Sequence, residues 1–187
     1  MWARVTLSPR KPLLWALDFN VDPMSSVVAQ IADGRISVLD EIVIRHGTTR
    51  QACKTFLERF PRHAAGVRIY GDASGFAQQT SGMSDYDMVR EELGIASLLD
   101  ADIRVPRANP PVRDRIHLVN TKLRSARGDI GMRVDPKCKE LIMDFEQVSY
   151  KGDTGQIDKD RDRMRTHVSD ALGYLIWQEC RAIASNW

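Results

Sequence analysis

Apolar positions fall into short continuous runs near the start of the chain and into helical spacing further on. Residues 13–19 form an apolar run that closes on Asp18, Phe19 and Asn20, which predicts a buried strand whose last residues emerge at a sheet edge. Residues 25–32 and 35–45 are two β-rich runs joined by Asp33-Gly34, a hairpin signal because both turn positions tolerate positive φ. Three antiparallel strands are therefore expected first. Thr48 or Thr49 can cap a helix that buries Ala52, Cys53, Phe56, Leu57 and Phe60 and stops at Pro61. A strand is expected over 66–71, a helix from Ser84 to about Leu93 closed by Gly94, and a short strand over 103–106. A helix from Pro111 or Val112 to Arg127 follows, burying Ile116, Val119 and Leu123. Residues 130–134 suit a brief edge strand, Pro136 opens a helix to about Val148, and the last helix covers 167–184. The order βββαβαβααα, with that edge strand added, predicts an α/β fold in which a mixed sheet is flanked by helices.

Composition changes this picture little, and charge changes it more. At 187 residues and 43% hydrophobic content, one domain over 1–187 with a core of about 13–184 is expected. Cys53, Cys138 and Cys180 are odd in number and widely spaced, without a Cys-x-x-Cys pair, which argues against a zinc site and for a reducing compartment. The first ten residues lack an apolar signal region, and no apolar run nears the roughly 20 residues a spanning helix needs, so a soluble, unexported protein is expected. The formal charge is only +2, which excludes a polybasic tail or an acidic disordered chain. That sum hides a polarised chain. Residues 18–102 hold 13 acidic against 8 basic side chains, whereas 104–139 hold 10 basic against 3 acidic. A further run over 151–165 interleaves Lys and Arg with Asp and reads as a loop. A solvated helix face accounts for either basic stretch as well as an anion-binding surface does.

Candidate chemistry lies where acids meet element ends. Asp18 ends the first strand, Asp72 follows the run 67–71, and Asp170 lies in the first turn of the last helix, among small and apolar residues that let a helix approach a sheet. Clustered, three carboxylates without compensating Lys or Arg would repel one another until one took up a proton. Mg²⁺ or Mn²⁺ removes that penalty, and two ions about 4 Å apart can activate a water and stabilise a leaving oxygen at a phosphodiester. Taken singly, Asp18 and Asp72 also suit turns, and Asp170 suits a helix dipole. His167 shares a helix face with Asp170 at i, i+3 and is a candidate to bind metal, contact phosphate or assist the water, or simply to sit at the helix start. Glu41, on the third strand, is a candidate fourth metal-binding acid or a strand-edge partner of an Arg.

Leu17-Asp18-Phe19-Asn20 with Pro23, the hairpin ending in Leu39-Asp40-Glu41, Tyr70-Gly71-Asp72-Ala73-Ser74-Gly75 and His167-Val168-Ser169-Asp170-Ala171-Leu172-Gly173-Tyr174 together resemble the nuclease domain of the large terminase subunit of tailed bacteriophages. The resemblance spans 13–177, with Asn20 standing where many members have Gly. It implies a ribonuclease H-like fold and a metal-dependent endonuclease that cuts concatemeric double-stranded DNA into genome lengths. By matching position, Asp18, Asp72 and Asp170 look like the metal-binding triad for Mg²⁺ or Mn²⁺, and His167 like the histidine that precedes the last acid in some members.

Full-length terminases also carry an ATPase motor, but no Gly-x-x-x-x-Gly-Lys-Ser/Thr loop occurs here, so this chain is expected to cut DNA and not translocate it. The implied setting is the cytoplasm of an infected or lysogenic bacterial host. The implied partners are double-stranded DNA and, in a full-length terminase, the ATPase domain, the small terminase subunit and the portal. Arg104, Arg107, Arg113, Arg115, Lys122 and Arg124 are then expected to neutralise DNA phosphates, with Lys151, Lys159 and Arg161 reaching the backbone from a loop over the substrate. Between Ala77 and Val119 the only aromatic is Tyr86, which argues against stacking on single-stranded bases and for duplex. Open alternatives are a junction resolvase, a ribonuclease H, or a catalytically silent DNA-binding module of the same fold.

Overall fold

The expected opening of three antiparallel strands is present. In the computed structural model, which describes residues 1–61, 63–80, 82–95, 101–148 and 165–184, β1 (Leu13–Asp18) pairs antiparallel with β2 (Met24–Ala32), and β2 with β3 (Arg35–Ile44). Asp33 and Gly34 make the hairpin turn at φ 51° and 72°, the left-handed conformation that this dipeptide favours. Thr48 caps α1 (Thr49–Arg59) through a capping box with Gln51. Next come β4 (Val67–Gly71), a 3-10 turn (Ala73–Phe76), α2 (Asp85–Ile95), β5 (Ala101–Ile103) and α3 (Val112–Leu123). The chain continues with β6 (Met132–Val134), α4 (Lys139–Gln147) and α5 (His167–Ala184). The strand order is β5-β4-β1-β2-β3-β6, with β4 parallel to β1, β5 parallel to β4 and β6 parallel to β3.

β1 lies inside the sheet and is covered on both faces, which is why its sequence is a continuous apolar run and not an alternating one. Leu13, Trp15 and Leu17 point to the α1/α2 side, where Trp15 stacks on Phe56 with ring centroids 4.2 Å apart. Leu14 and Ala16 point to the other side, under α5. Cys53, Cys138 and Cys180 are free and buried, and burial pushes the Cys53 and Cys138 thiols up to about 12, so neither is a nucleophile at neutral pH.

Several boundaries differ from expectation for local reasons. α2 runs past Gly94 to Ile95, because one glycine in a helix costs about 1 kcal/mol and does not end it. α3 stops at Leu123, since Arg124 is extended and 125–129 close a turn through Ser125 N to Asp129 O. α4 begins at Lys139, because Asp135 holds residues 135–138 in a turn through its carbonyl and side chain. β5 is registered against Val67–Ile69 and so lies at 101–103, not 103–106. Lys151, Lys159 and Arg161 lie outside the described residues, as does all but the last residue of the expected loop over 151–165. Among the described residues no helix is long and apolar enough to cross a membrane.

Candidate active site

The parallel register of β1 and β4 pairs Leu17 with Gly71, so Asp18 and Asp72 leave the sheet side by side at the carboxyl ends of neighbouring strands. Gly71 permits this closeness. A Cβ there would stand 2.5 Å from the Leu17 carbonyl oxygen and 2.7 Å from the Tyr86 hydroxyl. Gly71→Ala is expected to force β1 and β4 apart at the site and cost about 2 kcal/mol, read as a lowered midpoint of thermal unfolding.

α5 packs across β1, β2 and β4 and brings His167 and Asp170 over the same edge. Asp18 is buried at 7% exposure, and its Oδ2 lies 2.9 Å from His167 Nδ1 and 3.3 Å from Asn20 Nδ2. Asn20 Nδ2 is also 3.0 Å from the same ring nitrogen. A carboxylate only accepts, so the contact with Asp18 is a hydrogen bond in the tautomer that carries the proton on Nδ1, and Asn20 Nδ2, itself a donor, then serves the carboxylate and not the ring nitrogen.

Asp72 is held by more donors. Its Oδ1 accepts from Ser74 N at 2.6 Å and Asn109 Nδ2 at 2.8 Å, and its Oδ2 from the Tyr174 hydroxyl at 3.1 Å. Asn109 Oδ1 in turn accepts from Ala73 N at 2.8 Å, so the side chain is fixed at both ends. Burial pushes the Asp72 carboxyl up, but the hydrogen bonds from Asn109, Ser74 and Tyr174 outweigh it and hold the group below its ordinary value.

Asp170 faces a cation. Arg115, from α3, is 5% exposed; its Nη2 lies 3.1 Å from Asp170 Oδ1, and its Nη1 donates to the Asp170 carbonyl oxygen at 3.1 Å. The same guanidinium sits 4.2 Å from the centroid of the Tyr174 ring. Tyr174 thus links Asp72, through its hydroxyl, with Arg115 and Asp170, through its ring. Burial raises the Tyr174 phenol, the Arg115 charge lowers it, and the charges of Asp72, Asp18 and Asp170 raise it further.

The donors match a hard divalent cation in type, being carboxylate oxygens beside one imidazole. Their present arrangement does not enclose one: among the described residues no three His, Cys, Asp or Glu side chains form a group placed to hold an ion. Each acid is turned to a protein partner, Asp18 to His167, Asp72 to Asn109 and Tyr174, and Asp170 to Arg115.

The structure takes Glu41 elsewhere. Both its oxygens accept backbone amides at the start of α4, from Glu140 at 2.9 Å and Leu141 at 2.8 Å, so it caps that helix and is not turned to the three aspartates. Two of the expected DNA-binding residues are also engaged internally. Arg115 is buried against Asp170, and Arg104 is held by Asp102 at 2.6 Å and Glu179 at 3.0 Å, beside the Tyr70 hydroxyl on the same Glu179. Arg107, Arg113 and Arg124 are exposed and pair with no described carboxylate, and Lys122 is half-buried.

Asn109 and Tyr174 were not foreseen in these roles. Tyr174 is four residues from Asp170 and so on its face of α5, a spacing that points to it. Asn109 follows from no sequence pattern.

A mixed sheet in this order, with helices on both faces and acids at the carboxyl ends of its central parallel pair, is a ribonuclease H-like fold, the architecture of large-terminase nuclease domains. The P22 large terminase nuclease domain is similar over 96% of this chain and 86% of its own, at 14% identity and a TM-score of 0.61. The nuclease domain of the large terminase of bacteriophage SPP1, solved with bound Mn, is similar over 89% and 85%, at 17% identity and a TM-score of 0.53. The whole large terminase of a thermophilic bacteriophage gives a TM-score of 0.66 at 14% identity over 95% of this chain, which spans only 42% of that protein. At these identities the likeness is one of fold. No protein-family model matches the chain, and no curated protein does.

Proposed function

We propose that this chain is a divalent-metal-dependent endodeoxyribonuclease of the terminase type, which cuts concatemeric double-stranded DNA into genome lengths in the bacterial cytoplasm. The observation that carries the reading is the parallel register that sets Asp18 and Asp72 side by side where β1 and β4 end, with α5 carrying Asp170 across the same sheet. In this reading the three aspartates hold Mg²⁺ or Mn²⁺, two ions in the active complex. Bound there, the ions supply positive charge to an attacking water and to the leaving oxygen. Asp18 and Asn20 hold the His167 ring at this edge, where it would contact the scissile phosphate or assist the water. Asn109 and Tyr174 fix the rotamer of Asp72 and keep both its oxygens directed. Arg107, Arg113 and Arg124 bind phosphates without reading sequence, and Lys151, Lys159 and Arg161 are proposed to add to them. The ATPase domain, small subunit and portal of a terminase are the proposed partners.

The test is incubation of the protein with plasmid, linear duplex, four-way junction and RNA–DNA hybrid, in Mn²⁺, Mg²⁺ or chelator. Cutting of both duplex substrates, lost in chelator, supports the reading; cutting of the junction or the hybrid alone moves the activity to a resolvase or a ribonuclease H. Asn109→Ala is expected to cut about tenfold more slowly, with weaker Mn²⁺ binding, since groups that orient a metal ligand are typically worth about 10–100-fold. An unchanged rate and an unchanged Mn²⁺ constant would remove Asn109 from the site.

A further inference from the structure

We propose that Arg115 is the resident counter-cation of Asp170 and competes with divalent metal for that carboxylate, so that it sets how tightly the site takes up an ion. The inference rests on the reading of Asp170 as a metal ligand.

Four observations converge on it. Arg115 is 5% exposed, in a position where a guanidinium is costly unless a carboxylate faces it. It grips a single residue twice, with Nη2 at 3.1 Å from Asp170 Oδ1 and Nη1 on the Asp170 carbonyl oxygen at 3.1 Å. Its Nε is buried without a hydrogen-bond partner, so among the described residues no second carboxylate shares the charge from that side. Finally, α5 makes room for it: a Cβ at Gly173 would lie 3.3 Å from Nη1 and 3.7 Å from the Arg115 Cβ and Cδ. A cation built this closely onto Asp170 does part of what a metal ion would do there.

The consequence has a sign. A divalent ion taking Asp170 Oδ1 must share or displace Nη2 and then sit within a few ångströms of a like charge in a partly water-excluded site. If Arg115 opposes the ion, removing its charge tightens metal binding. If Arg115 only props the carboxylate in place, removing it weakens binding. The two accounts predict opposite shifts.

Isothermal titration of the full chain with Mn²⁺ separates them, comparing wild type, Arg115→Met and Arg115→Lys. Arg115→Met is expected to bind about tenfold more tightly, equivalent to about 1.4 kcal/mol, and to gain a larger rise in thermal midpoint on adding Mn²⁺. Arg115→Lys, which keeps the charge, is expected to stay within about threefold of wild type. Binding by wild type with an equal or weaker constant in Arg115→Met overturns this inference alone, as does tightening by Arg115→Lys as large as that by Arg115→Met. Mn²⁺ binding by neither wild type nor Arg115→Met overturns the metal reading and this inference with it; binding by Arg115→Met only supports the inference. If Arg115→Met is unfolded without metal, circular dichroism is followed during the titration: recovery of helix with Mn²⁺ supports the competition, and no recovery overturns it.

Discussion

Asp72→Asn is expected to lose DNA cleavage by at least about a hundredfold while keeping its fold, and Asp18→Asn to do the same. The magnitude follows from what one directed charge contributes where charge develops in a transition state, about 10²- to 10³-fold in rate. The fold should survive because the amide keeps most of what the structure builds around Asp72. An Asn oxygen still accepts from Ser74 N and Asn109 Nδ2, and the Tyr174 hydroxyl can accept from the new amide as readily as it donated to Oδ2. What is lost is charge, and with it, in the proposed reading, a ligand for a divalent ion. The assay is nicking and linearisation of supercoiled plasmid in Mn²⁺, with circular dichroism to verify the fold. Equal cutting by wild type and either variant would sink the nuclease reading of this edge.

The elements that place those two acids were readable because they depend on neighbours in sequence. The apolar run of β1, the Asp33-Gly34 hairpin and the start of α5 at His167 are local signals, and each stands within a residue or two of its expected position. That β4 lies against β1 in parallel, which sets Asp18 beside Asp72, is a matter of topology that no local pattern carries. Arg115 shows the limit most clearly. In sequence it is one of ten basic residues over 104–139, indistinguishable from Arg113 two positions earlier. Only the packing of α3 on α5 turns one toward Asp170 and leaves the other in solvent. Gly173 was a partial signal, since a small residue mid-helix marks a close approach without saying what approaches. Glu41 failed for a related reason. An acid on a half-buried strand needs a partner, and the sequence does not reveal that the partner is the start of a helix 99 residues away.

That cap at Glu41 is the first of two that tie the sheet, through α4, to α5. The second should be among the most sensitive points of the fold outside the site: Asp144→Ala is expected to cost about 3 kcal/mol or more and to lower the unfolding midpoint by roughly 10 °C. Asp144, on α4, is 1% exposed and accepts from Ser169 N at 3.0 Å and from the Thr166 amide, which closes the first turn of α5. It also faces buried Arg165 at 3.4 Å. Thr166, a β-branched residue at φ 82°, is held in the left-handed region directly before His167. Removing the carboxylate releases that strained turn and takes one anion from the buried Arg165, so both the loss of stability and a loosened His167 are expected.

Asp144→Asn should be milder than Asp144→Ala near neutral pH, because its amide oxygen still caps Ser169 and Arg165, though it loses this anion, keeps Glu140. Burial pushes the Asp144 carboxyl above its ordinary value of 3.8, against the opposing hydrogen bonds from Ser169 and Thr166 and the Arg165 charge. The folded protein therefore holds this proton more tightly than the unfolded chain does. Stability tied to the group is present at low pH and falls as pH rises through the window above about 4. Asp144→Asn cannot titrate, so its deficit against wild type should be largest in acid and smallest at neutral pH, as measured by urea unfolding across that range. A deficit that instead grows toward neutral pH would mean that the ionised pair with Arg165, and not the cap on α5, is what Asp144 contributes.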